Sequence, residues 1–153
     1  MSGRYQKIVV PIDGSGWSEN AITHAADIAR ANEAEIILLH VFKPPAADYA
    51  GEIALAGQDE QIQHYRDQIK QQLMSLRGQL RAQGIKSRVQ MIEGVGVANL
   101  ICDYINDEDV DLVVMSSHGR TGLRRFIFGS VAQKVLQGVE VPVMIIRPGK
   151  EDE

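Results

Sequence analysis

Apolar residues gather into short, dense runs along the chain. Four are rich in β-branched and aliphatic side chains: Lys7–Ile12, Glu35–Phe42, Asp111–Ser116 and Val141–Ile146. Runs without polar interruption fit strands covered on both faces of a parallel sheet. A fifth run, Lys86–Gly94, alternates instead. Val89, Met91 and Glu93 share one face, and Arg88, Gln90 and Ile92 the other, the pattern of a half-exposed edge strand.

Between these runs the apolar spacing changes to three and four, which predicts helices. Ala21, Ala25, Ile28 and Ala29 form one stripe. Ile62, Tyr65, Ile69, Leu73, Leu76 and Leu80 form a second, with Gly84 placed to stop it. Val97, Leu100, Ile101, Tyr104 and Ile105 form a third, and Val131, Val135 and Leu136 a fourth. The order is therefore β-α-β-α-β-α-β-α-β, with a longer loop expected over Lys43–Glu60. Such alternation predicts right-handed crossovers and one parallel sheet with helices on both faces. No internal repeat or interdomain linker interrupts it. We read residues 1–153 as a single domain, with its core over about 5–148 and an acidic tail at 149–153.

Composition narrows the class. Of 153 residues, 44% are hydrophobic and the net charge is −4. A mildly acidic chain argues against nucleic-acid binding, which needs a basic face. The single cysteine, Cys102, excludes an internal disulfide and fits a reducing cytoplasm. No apolar stretch approaches the ~18 residues of a membrane span, and the N-terminal run is too short for a signal-peptide core.

In an open α/β sheet, ligands sit beyond the carboxyl ends of the strands, where strand order reverses. That directs attention to the segments after the first, second and fourth apolar runs. The last of these is the stretch Ser116–Ser130, SSHGRTGLRRFIFGS. Its glycines allow close backbone approach, and the helix start that follows suits an anion. Ser130 with Gln133 also reads as a capping box, which accounts for Ser130 without any ligand. Arg120, Arg124 and Arg125 fit a solvated charge run as well as a phosphate site. The P-loop pattern, with its lysine, is absent. Gly14–Glu19 and Gly94–Asn99 each begin like a dinucleotide fingerprint but lack its last glycine, and tight turns explain both.

Asp13 follows the first strand. A carboxylate there can hold a ribose hydroxyl or a metal-bound water, or accept hydrogen bonds from the next helix turn. His118 has the pKa range for acid–base work, yet no Ser-His-Asp or Cys-His arrangement follows from the spacing. His40, inside an apolar run, reads as a satisfied core residue. Cys102 reads as a small buried hydrophobe. His24 and His64 stand isolated on helices, so no metal cluster emerges. Trp17 reads as packing.

Taken together, KIVVPIDGSGWSENA, LLHVF, LVVMSSHGRTGLRRFIFGSVAQKVL and VPVMIIRP resemble the universal stress protein family over Tyr5–Pro148. Its ATP-binding members carry a glycine, two residues, a second glycine, nine residues, then glycine followed by serine or threonine. Here Gly119, the nine residues Arg120–Phe128 and Gly129-Ser130 match, and Ser116 occupies the first glycine position. The resemblance implies a Rossmann-like α/β fold of the adenine nucleotide alpha hydrolase type, one open five-stranded parallel sheet of order 3-2-1-4-5. It implies that Pro11, Ile12 and Asp13 border the adenosine, and that Val41 offers its backbone to the adenine edge. Met115 would line the pocket, and Ser116, Gly119, Gly129, Ser130 and Val131 would surround the phosphates. ATP would bring Mg²⁺ with it. A homodimer through the last strand, Val141–Ile146, is implied as well. The functional expectation is an ATP-binding, cytoplasmic, dimeric regulator of the stress response, without catalysis, nucleic acid or membrane. The alternatives are a dimeric interaction protein of the same fold that binds no nucleotide, and an enzyme using Asp13 or His118.

Overall fold

The computed structural model describes residues 3–13, 16–43, 56–117 and 129–147. The chain runs β1 (Lys7–Pro11), α1 (Gly16–Asn32), β2 (Glu35–Phe42), α2 (Ala56–Ala82), β3 (Ser87–Glu93), α3 (Val97–Asp107), β4 (Leu112–Ser116), α4 (Ser130–Gly138), β5 (Val143–Ile146). The five strands form one parallel sheet of order β3-β2-β1-β4-β5. The element order and the strand order are those expected. The alternating run is indeed the edge strand β3, and β5 is the other edge.

Strand alternation divides the core into two layers. Ile8, Val10, Ile36, Leu38, Leu112 and Val114 pack with α1 and α2. Val9, Ile37, Leu39, Val113 and Met115 pack with α3 and α4. The consecutive apolar residues Ile8–Val10, Ile36–Leu39 and Leu112–Met115 thus serve two faces at once. Burying each of these large aliphatic side chains stabilises the fold by about 1.5–3 kcal/mol relative to exposure. The right-handed crossover rule explains the split. The first two crossovers step outward from β1 through β2 to β3, and the last two run the other way, from β3 back to β4 and on to β5. Their helices therefore lie on opposite faces.

The seam between the two windings is β1 against β4, where Ile8 is level with Leu112 and Val9 with Val113. A carboxylate clamps its amino end. Asp111 Oδ2 accepts the backbone N–H groups of Gln6 at 2.9 Å and Lys7 at 3.0 Å, and the Asp111 N–H donates to the Lys7 carbonyl at 2.9 Å.

Three local expectations change. Residues 56–60, expected in a loop, open α2. Ala132 and Val135 are the buried pair of α4, while Val131 and Leu136 are 37% and 46% exposed. The cap of α4 is Gly129, not Ser130. Gly129 is extended, at φ −64° and ψ 150°, and its carbonyl accepts the Gln133 N–H at 2.9 Å. Ser130 is already helical, so its hydroxyl makes no cap bond. The capping box is displaced because the preceding backbone is pinned elsewhere.

Gly84 does end α2, in the left-handed region at φ +79°. The Ile85 N–H donates to Leu80 O at 3.0 Å and the Gly84 N–H to Arg81 O at 2.9 Å, the paired bonds of a Schellman motif. Ile85 is buried behind it.

Candidate functional site

Because all strands are parallel, their carboxyl ends share one edge of the sheet. Pro11 ends β1 level with Leu39. Continuing that register places Ile12 level with His40 and Asp13 level with Val41. Continuing the β1–β4 register places Ile12 level with Ser116 and Asp13 level with Ser117. The residues expected around adenosine thus converge at the tips of β2, β1 and β4, at the winding reversal. In open α/β sheets such a reversal is where ligands sit.

The tips differ in burial. Ile12, Val41 and Met115 are buried. Pro11, Asp13 and Ser116 are half-buried. Asp13 and Ser116 each take part in a polar interaction. The β4 tip is held from its outer side, since the Ser117 N–H donates to Ile146 O at 3.0 Å.

Gly129 ties the start of α4 to this tip. Its N–H donates to Ser117 O at 2.9 Å. A Cβ built on Gly129 would stand 2.9 Å from that same oxygen, closer than real Cβ atoms approach backbone. Its φ is one any residue adopts, so the requirement for glycine is close approach alone. The first amides of a helix have no intrahelical acceptor, and here the cap offers them no side chain. The first turn of α4 carries no acidic residue. Ser130 and Val131 lie in that turn and are exposed. An anion is the natural occupant of such a helix start. Gly119, like His118, Arg120, Arg124 and Arg125, lies outside the described residues, as do Gly14, Ser15 and the side chain of Trp17.

A second group flanks Val41. The Arg66 guanidinium lies 5.0 Å from the Phe42 ring centroid and pairs with Glu93. Tyr65 meets Phe42 at 5.6 Å between centroids. This group closes the β3 side of the edge. Sequence spacing marked Tyr65 only as part of a core stripe and gave no signal for Arg66, because its partners come from two strands.

His40 is 5% exposed, and its Nδ1 lies 2.7 Å from Ile12 O, so the satisfied-core reading holds. Cys102 is also buried, away from the tips, against Gly138 of α4. Burial, and secondarily the charge of Asp103, push its thiol above the ordinary 9.0. It is an inert packing group rather than a nucleophile. Among the described residues, no group of three or more His, Cys, Asp or Glu is arranged to hold a metal ion. A crevice of about 200 Å³ opens between α1 and α2, lined by Glu19, Thr23, Arg30, Leu80 and Gln83 among others. No residue of the strand tips borders it, so its size does not make it the site.

Comparison with known proteins identifies the family. The model of the universal stress protein family matches residues 4–147. Universal stress protein MJ0531 of Methanocaldococcus jannaschii is 31% identical over 97% of this chain and 85% of its own length. The solved structure of MJ0577, from the same organism, superposes with a TM-score of 0.83 at 26% identity, covering 97% of this chain and 99% of that one. Two further structures share the fold. One, from Archaeoglobus fulgidus, is a complex with dAMP (TM-score 0.66, 21% identity, covering 94% and 99% of the two chains). The other is a universal stress protein in complex with cAMP (TM-score 0.67, 22% identity, covering 95% and 98%). With the family model spanning nearly the whole described fold, this chain belongs to the universal stress protein family.

Proposed function

We propose that the chain is an adenine-nucleotide-binding regulator of the stress response, taking ATP with Mg²⁺ at the tips of β1, β2 and β4. The observation that carries this reading is Gly129. It is held against the β4 tip so closely that no side chain fits, at the start of a helix whose first turn carries no acid. Backbone brought that near a strand end leaves room for a phosphate chain. Ser116 beside it is small enough to leave the same room. In this reading Pro11, Ile12 and Asp13 border the sugar, the Val41 backbone meets the base, and Met115 lines the floor. Ser116, Gly119, Gly129, Ser130 and Val131 surround the phosphates. The family structures with dAMP and cAMP support an adenine nucleotide as the ligand class. The divalent ion is proposed to arrive on the phosphates, with the Asp13 carboxylate level with the β4 tip by register. It would screen phosphate charge. The proposed role is binding without turnover, in the cytoplasm, with a nucleotide-dependent change at a dimer contact as output.

Thermal unfolding tests the reading. With Mg-ATP at ~100 times its dissociation constant, bound ligand adds about 2.7 kcal/mol of stability. A rise in Tm is expected for the wild type and none for Gly129→Val, with circular dichroism checking that the variant is folded. No rise for the wild type at millimolar Mg-ATP overturns the reading. That outcome would favour an interaction protein of the same fold.

A further inference from the structure

The hydrogen bond of the buried His40 falls where the chain leaves β1. His40 lies on β2 between Leu39 and Val41, with the facing of Ile36 and Leu38 toward α1 and α2. Its Nδ1 is 2.7 Å from the carbonyl oxygen of Ile12. A carbonyl oxygen only accepts, so Nδ1 carries the hydrogen and the tautomer is fixed. The Ile12 N–H donates to Leu39 O at 2.8 Å. Ile12 stands just beyond the last residue of β1. Both of its backbone polar groups are therefore tied to β2, one by main chain and one by the imidazole. The Ile12 carbonyl and the Asp13 N–H belong to a single planar peptide and point in opposite directions. Fixing the carbonyl fixes the direction of the Asp13 amide and the exit of the chain at Asp13. An imidazole is a costly filler for an apolar face unless its hydrogen bond has a use.

We propose that His40 is a positioning residue: its Nδ1–H locks the Ile12–Asp13 peptide and so sets where Asp13 stands between the tips of β2 and β4. The consequence for ligand binding rests on the nucleotide reading above, whereas the lock itself does not. Three measurements test it. Asparagine places an N–H donor close to the Nδ1 position, while leucine fills the volume without one. His40→Leu is expected to stay folded, to bind Mg-ATP about tenfold more weakly, and to exchange its Asp13 amide faster. His40→Asn is expected to restore both properties to near wild type, which generic core repair would not do. Imidazole ¹⁵N shifts of the wild type are expected to report the Nδ1–H tautomer. Unchanged Asp13 exchange in His40→Leu, no rescue by His40→Asn, or the Nε2–H tautomer would each overturn the proposal. If His40→Leu does not fold, the tautomer and His40→Asn arms decide. If the wild type takes up no Mg-ATP, the nucleotide reading falls, and the exchange and tautomer arms still judge the lock.

Discussion

Gly129 and Gly138 are held to glycine by what stands beside them rather than by their dihedrals. Gly129 has the Ser117 carbonyl 2.9 Å from where a Cβ would be, and Gly138 has the Cys102 Sγ at 2.7 Å. The second contact joins α3 to α4, and Asn106 reinforces it by donating to Gly138 O at 3.1 Å. Gly138→Ala is expected to destabilise the fold by about 1–3 kcal/mol through overpacking. Cys102→Ala in the same chain should return most of that loss, a coupling that urea denaturation of the double-mutant cycle measures. The thiol also sets a pH dependence. Its ionisation in the folded chain lies above the ordinary 9.0 because burial disfavours thiolate. As pH rises, the unfolded chain therefore ionises first. The thiol's contribution to stability is complete below pH 9.0 and is lost above it, toward the folded value. Above that pH the urea midpoint of the wild type is expected to fall faster than that of Cys102→Ala.

Elements were legible where one period dominated. The β2 run was read to the residue because all of its positions after Glu35 are buried. The stop at Gly84 was readable because a left-handed cap leaves a glycine in the sequence. Gly84→Ala, at φ +79°, is expected to lower stability by about 1–2 kcal/mol, seen as a lower urea midpoint with unchanged m. Other details were hidden for a physical reason. The start of α4 differs by one residue from the capping box, because Ser130 satisfies a local rule whereas the Gly129–Ser117 bond that overrides it comes from just beyond the end of β4. Arg66 was silent because the Phe42 ring and the Glu93 carboxylate reach it across space. The tie from His40 to Ile12 was invisible for the same reason: register between strands is not written in either strand alone. In the candidate site, sequence therefore named residues but not the bonds that fix them.

At the scale of the whole molecule, β5 is an edge of which Met144 is 38% exposed, and Val131 and Leu136 of α4 are exposed as well. An apolar edge of this kind invites pairing, and we propose that a second copy covers it. Met144→Lys is expected to shift the protein from dimer to monomer in sedimentation equilibrium while leaving its far-ultraviolet circular dichroism unchanged. A wild type that is monomeric at micromolar concentration would remove the proposal.

The Asp111 clamp on Gln6 and Lys7 joins groups 105 and 104 residues apart in sequence. The strands on one side of the sheet, β1 to β3, can assemble as soon as each is made. The β1–β4 seam must wait for the chain to reach Asp111, and Gly129 must follow before the tip is complete. Non-local closures of this kind come late in folding. A nascent or truncated chain can thus hold much of the sheet while having no place for a ligand. If the tips hold the proposed nucleotide, their occupancy would serve as a certificate of completed folding, issued only to chains that have closed the seam.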